Sequence, residues 1–147
     1  MANKKITIIG SGFSSLAAAA YLAKDGYNVT VFEKNQTIGG RARQFTKQGF
    51  TFDMGPSWYW MPDVFERFFS DFGKKASDFY VLEKLSPAYS VYFGENDFIT
   101  IEDTLDKICA TFEKEEPGSS EKLQEFIASA QQNYNIAIKD LVYRPGV

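Results

Sequence analysis

The chain has 147 residues, with 16 Lys and Arg against 19 Asp and Glu for a net charge of −3, no histidine and one cysteine. That length suits one domain or a piece of a larger one, and the mild acidity offers no basic patch for a nucleic acid. Without histidine there is no Ser-His-Asp or Cys-His nucleophile pair, and Cys109 by itself forms neither an internal disulfide nor a thiolate cage.

Hydrophobic residues make up 44 % of the chain, enough for a folded core, yet no run of 18 or more apolar residues could cross a bilayer as a helix. No paired carboxylates are evident, and the sequence assigns neither a catalytic side chain nor a metal site. If the chain catalyses a reaction, a bound cofactor is expected to carry the chemistry.

Lys4 and Lys5 precede an apolar stretch ending in Ala17–Ala20, which has the outline of a secretory leader. Gly10-Ser11-Gly12 interrupts it and a second strand follows, so a cytoplasmic protein is the expectation. Ile6–Ile9 is a short β-branched run, read as a buried parallel strand. Gly10–Gly12 is a tight turn. An Ala- and Leu-rich helix is expected over about 14–25, with Gly26 as its left-handed C′ residue. Residues 28–33 form a second strand that closes on Glu33. Strand, glycine turn, helix and strand within about thirty residues make a βαβ unit.

Beyond Glu33 the pattern loosens. Residues 34–42 read as a loop containing Gly39-Gly40, and 44–48 and 50–53 as short extended pieces around Gly49. Pro62 suits the first turn of a helix that carries Phe65, Phe68, Phe69 and Phe72 on one stripe, a spacing expected of core packing. Tyr80–Leu85 and Ala88–Phe93 are expected strands, the second pairing with Phe98–Ile101 across the turn 94–97. Leu105, Ile108, Cys109 and Phe112 share a helical face, so Cys109 reads as a buried small hydrophobe. Residues 113–118 are expected to form a charged break, after which Ser119 or Ser120 can cap a long final helix. The fold class is α/β: a Rossmann-like βαβ dinucleotide-binding region with short strands and a hairpin over 1–100, then a helical segment over 101–147.

The chemistry-bearing motif is Gly10-Ser11-Gly12-Phe13-Ser14-Ser15. Its first glycine permits the turn, and its second lets backbone approach a pyrophosphate. The helix N-terminus then offers unpaired N–H groups and partial positive charge. Ser15 stands where a third glycine would serve close helix–strand packing. Glu33, 21 residues after Gly12, is placed for the hydroxyls of a ribose and against an added 2′-phosphate. It does not separate NAD from FAD. Gly39-Gly40-Arg41 allows a second close backbone approach with a cation at a diphosphate; its plainer reading is a solvated surface turn.

The stretch Val31-Phe32-Glu33-Lys34-Asn35 through Ile38-Gly39-Gly40-Arg41-Ala42 resembles the flavin-binding N-terminus of glutathione-reductase-like flavoproteins. The continuation Gly49-Phe50-Thr51-Phe52-Asp53-Met54-Gly55-Pro56-Ser57 resembles, within that group, the bacterial phytoene desaturases. The resemblance covers about residues 5–100 and, loosely, the helical remainder. It implies FAD as cofactor, with Gly10, Gly12, Phe13, Ser14 and Ser15 at the pyrophosphate, Glu33 at the ribose, and Gly39, Gly40 and Arg41 at the second approach. It also implies desaturation of a hydrophobic isoprenoid or polyene, with hydride passing to the flavin. Flavin amine oxidases and protoporphyrinogen oxidases share the double-glycine motif and stand as one alternative. A non-catalytic nucleotide-binding fragment stands as another. Members of the family are several times longer and return near their C-termini to complete the flavin site. Nothing in 134–147 resembles that return, so the chain corresponds to the first third of such an enzyme.

Trp58-Tyr59-Trp60-Met61 suits a channel wall or an edge touching a membrane, or equally a core. Asp53 either orients backbone near the flavin or caps a turn.

Overall fold

The computed structural model describes residues 4–55 and 58–142. Pro56 and Ser57, the end of the desaturase-like stretch, lie outside them. The chain divides into two compact units, Met1–Val81 and Leu82–Val147.

In the first unit, strand β1 (Lys5–Ile9), helix α1 (Phe13–Lys24) and strand β2 (Asn28–Phe32) form the expected βαβ unit. The strands are parallel, in register from Lys5 opposite Asn28 to Ile9 opposite Phe32. Alternation along each strand turns Ile6, Ile8, Val29 and Val31 to the half-buried face. Ile9 points the other way and is 88 % exposed. Helix α1 ends as the sequence predicts: the N–H of Gly26 reaches the Ala23 carbonyl and that of Tyr27 the Leu22 carbonyl.

Strands β3 (Gln44–Lys47) and β4 (Phe50–Asp53) pair antiparallel through a two-residue turn at Gln48-Gly49. Both turn residues have positive φ, as the twist of a short hairpin favours. Phe45 and Phe52 stack at 5.0 Å on one face of the hairpin. Asp53 accepts a hydrogen bond from the Gln44 side chain at 2.7 Å, so its carboxylate serves this hairpin.

Helix α2 (Pro62–Asp71) opens on Pro62. Its phenylalanines are half-buried, and three dock on α1: Phe65 meets the Phe13 ring edge-on at 6.0 Å, while Phe68 and Phe72 meet Tyr21 at 5.7 and 5.2 Å. Each such pair contributes about 0.5–1.5 kcal/mol beyond area burial. The Tyr21 hydroxyl donates to Asp71 at 2.6 Å and Lys24 caps the Asp71 carbonyl, closing the contact.

The strand expected over Tyr80–Leu85 does not form. A 3₁₀ turn at Ala76–Asp78 carries Tyr80 into an aromatic group, where its hydroxyl bonds that of Tyr59 and its ring meets Phe69 at 6.1 Å. The segment that follows finds no partner ladder, and Val81 is 91 % exposed. Apolar content suited to a strand does not make one without a neighbouring edge to complete its hydrogen bonds.

In the second unit, β5 (Tyr89–Tyr92) and β6 (Phe98–Ile101) form the expected hairpin, register Tyr89 opposite Ile101. Helices α3 (Leu105–Glu115) and α4 (Ser119–Ile136) follow, and the chain continues as a π-type turn at Ala137–Leu141. Ile101 and Cys109 form the buried centre, with Cys109 4 % exposed. Because β6 packs on α3, the hairpin groups with the helices. The packing boundary therefore precedes the compositional change near residue 100. Helix α3 runs through Glu113 rather than stopping there. The Glu113 carboxylate accepts the N–H groups of Gly118 and Ser120 at 2.8 and 2.9 Å, so the break is confined to the turn before α4. Those bonds hold the Glu113 carboxyl below the usual glutamate range.

Candidate dinucleotide-binding site

The turn between β1 and α1 is a backbone construction. Gly10 has φ +93° and its N–H closes onto the Phe32 carbonyl at 2.7 Å, which ties the loop to the end of β2. Gly12 is the N-cap of α1. Among the described residues no side-chain cap of that helix is seen, and no acidic residue lies in its first turn. The leading amides and the positive end of the helix dipole are therefore left for an anion.

The second glycine motif folds back onto the first. Gly39 N–H donates to the Ser11 carbonyl at 2.9 Å. Gly40, at φ +61°, approaches Gly12 so closely that a Cβ on Gly40 would stand 3.1 Å from the Gly12 Cα. Between the motifs opens a cleft of about 730 Å³, lined by Gly12, Phe13, Ser14, Gly39, Gly40, Arg41, Ala42 and Gly55. Its walls are backbone, small side chains and the Phe13 ring; among the described residues one arginine supplies charge and no carboxylate lines it. This volume lies within the range of small-molecule and cofactor sites. The donor set suits a diphosphate: amide hydrogens at a helix N-terminus, glycine backbone at close range and a guanidinium.

Six of the nine residues expected from sequence thus share one cleft: Gly12, Phe13, Ser14, Gly39, Gly40 and Arg41. Gly10 shapes the turn behind it. Ser15 lies half-buried one residue further along α1 and does not line the cleft. Glu33 closes on the loop from the end of β2. Its Oε2 accepts the Ser11 backbone N–H at 2.9 Å and the Ser11 hydroxyl at 2.8 Å. Its Oε1 accepts the Asn35 backbone N–H at 2.8 Å and the Asn35 side-chain amide at 2.7 Å. The Asn35 backbone N–H first, then the Ser11 hydroxyl and N–H, hold the Glu33 carboxyl down to about 2. The group is a fixed carboxylate at any ordinary pH.

Three residues at this site escape a reading by motif. Ser11 is the variable position between two glycines, yet it is 1 % exposed and tethers Glu33. Asn35 follows the strand-terminal acid by two residues, a spacing that lets it hydrogen-bond back. Gly55, at φ +119°, presses on the Arg41 carbonyl: a Cβ there would fall 2.4 Å from that oxygen. The turn signal of Gly55-Pro56 marks the position without naming its contact.

Among the described residues no group of three or more His, Cys, Asp or Glu could hold a metal, and no helix is long and apolar enough to cross a membrane.

Residues 8–73 match the family of NAD(P)-binding Rossmann-like domains. The chain is 42 % identical over 144 residues to a carotenoid 3,4-desaturase of Haloarcula japonica, covering 98 % of this chain and 29 % of that protein. It is 44 % identical over 133 residues to a 4,4′-diapophytoene desaturase of Staphylococcus aureus, covering 90 % of this chain and 26 % of that one. The corresponding enzyme of Staphylococcus haemolyticus is 39 % identical over 139 residues, 95 % of this chain and 28 % of its own length. The chain therefore spans little more than a quarter of the curated relatives it matches. Among solved structures, a CLA-producing fatty acid isomerase from P. acnes overlaps half of this chain at 28 % identity with a TM-score of 0.41.

Proposed function

We propose that the chain is the N-terminal, dinucleotide-binding portion of a phytoene desaturase-type protein, and that the whole protein is an FAD-dependent oxidoreductase that desaturates a carotenoid precursor. The observation that carries the cofactor reading is that the Gly12 and Gly40 backbones meet and so bring the helix N-terminus, the second glycine turn and Arg41 to one open cleft.

In this reading the first-turn amides of α1, around Phe13 and Ser14, donate to the pyrophosphate. Arg41 balances its charge, and Gly39 and Gly40 keep the second wall close. Glu33 accepts from the adenosine ribose, and its fixed negative charge opposes a 2′-phosphate. When bound, the flavin supplies a two-electron acceptor that takes a hydride from a saturated carbon pair of the polyene as a proton leaves the neighbouring carbon. The described residues bind and orient; none is assigned to move that proton.

The relatives named above are carotenoid desaturases rather than amine or protoporphyrinogen oxidases, which supports a long hydrophobic polyene as substrate. The exposed Trp58 and Trp60 support peripheral contact with the membrane in which such a substrate dissolves.

The test is direct. The purified chain is mixed with FAD, desalted and examined by visible absorption. Retained absorbance near about 450 nm, abolished by Gly40→Ala, supports the reading. A colourless protein that takes up no FAD at micromolar concentration favours the non-catalytic fragment instead.

A further inference from the structure

Glu33 is the contact at which the dinucleotide site distinguishes a ribose, and its four hydrogen bonds are of two kinds. On Oε2 the Ser11 N–H and hydroxyl come from a residue that is itself buried, so neither can leave without opening the glycine turn. On Oε1 one donor is the Asn35 backbone N–H and the other is the Asn35 side-chain amide. Asn35 is exposed and sits at the rim of a second cleft of about 560 Å³, which Thr37, Arg43 and Phe45 also line. Its amide can therefore rotate away into open space. A carboxylate offers about four acceptor positions, and all four are taken. A ribose hydroxyl that bonds Glu33 must displace a donor, and the Asn35 side chain is the one free to go.

We propose that Asn35 is a specificity-determining residue of the nucleotide site: its side-chain amide occupies the Oε1 position that a ribose diol takes. The Ser11 groups and the Asn35 backbone N–H keep the carboxylate aimed throughout. The inference rests on the dinucleotide reading above and adds a competitor within the chain. A ligand with a vicinal diol replaces the amide with its own donor and recovers the bond. A ligand without hydroxyls gains nothing by displacing it. Asn35 thus weakens binding of every ribonucleotide by the cost of its own removal.

The test titrates the purified chain and its Asn35→Ala variant with ADP and with 2′,3′-dideoxy-ADP by calorimetry. Asn35→Ala is expected to tighten ADP binding about three- to tenfold, the worth of one hydrogen bond. It should leave 2′,3′-dideoxy-ADP within about twofold of wild type. Weaker ADP binding by Asn35→Ala, or an equal change for both ligands, overturns the proposal while leaving the dinucleotide site standing. A wild-type chain that binds neither ADP nor FAD overturns the dinucleotide reading and this inference together.

Discussion

Gly40 meets Gly12 backbone to backbone, 28 positions apart in sequence, so closely that a Cβ on Gly40 would stand 3.1 Å from the Gly12 Cα and force the neighbour to yield by a few tenths of an ångström. The contact sets the width of the cleft, since the α1 N-terminus stands on one side and the Gly39–Ala42 turn on the other.

Gly40→Ala should therefore damage the site more than the fold. An alanine at φ +61° costs about 1–2 kcal/mol, and its methyl also pushes the turn away from Gly12. The expected outcome is a loss of FAD affinity of at least about tenfold with a modest fall in the urea midpoint. Equilibrium dialysis and denaturant titration of the same preparation measure the two effects separately. Wild-type affinity in this variant would mean that the cleft is not the cofactor site.

Glu33→Gln should weaken ADP and FAD binding by about tenfold, the scale for losing a hydrogen bond to a charged group. Stability should respond to acid as well. The folded carboxyl lies at about 2, against 4.5 for an ordinary glutamate. A depressed folded value stabilises the native chain above the ordinary value, and that contribution fades as pH falls from about 4.5 towards 2. The stability gap between wild type and Glu33→Gln is expected to be constant from pH 7 to 5 and to narrow below. Denaturant titrations at several pH values would show it. A gap that narrows near neutrality instead would place the charge dependence on another group.

The βαβ unit was legible because its signals are local. A β-branched run at Ile6–Ile9, an Ala-rich helix and a glycine at 26 each act within a turn or two of their own position. The cleft was legible only as two separate motifs, because the approach of Gly40 to Gly12 is a tertiary contact. The tether between Ser11 and Glu33 spans 22 positions and carries no pattern that spacing reveals. Tyr80–Leu85 shows the opposite failure. Its residues favour an extended strand, but strand formation needs a partner edge, and local preference does not supply one. Glu113 misled for a related reason: an acidic residue near a break reads as loop, whereas here it stays helical and uses its carboxylate to cap the next helix.

Cys109 gives a probe of the second unit. It lies on α3 with its sulfur 3.9 Å from the Ser120 carbonyl of α4, almost wholly covered. A thiol so placed reacts only when the α3–α4 contact opens. Labelling by an aromatic disulfide reagent is expected to be at least about a hundredfold slower in buffer than in denaturant, the scale set by local-opening energies of a few kcal/mol. Fast labelling in buffer would show that the two helices separate readily.

Gly55→Ala tests the wall of the cleft from its far side. At φ +119° an L-residue is strained, and the added methyl would lie 2.4 Å from the Arg41 carbonyl oxygen, a backbone atom with no rotamer to yield. Relief requires the Gly39–Ala42 turn to move, and Arg41 moves with it. A cost of about 3 kcal/mol is expected from strain and overlap together, read as a lowered urea midpoint. Arg41 lines the cleft beside the helix N-terminus, so FAD affinity should fall with it. The ionic-strength dependence of what binding remains should flatten, because the displaced guanidinium no longer meets the diphosphate. A variant that loses stability but keeps both the affinity and the salt dependence of wild type would show that Arg41 holds no phosphate.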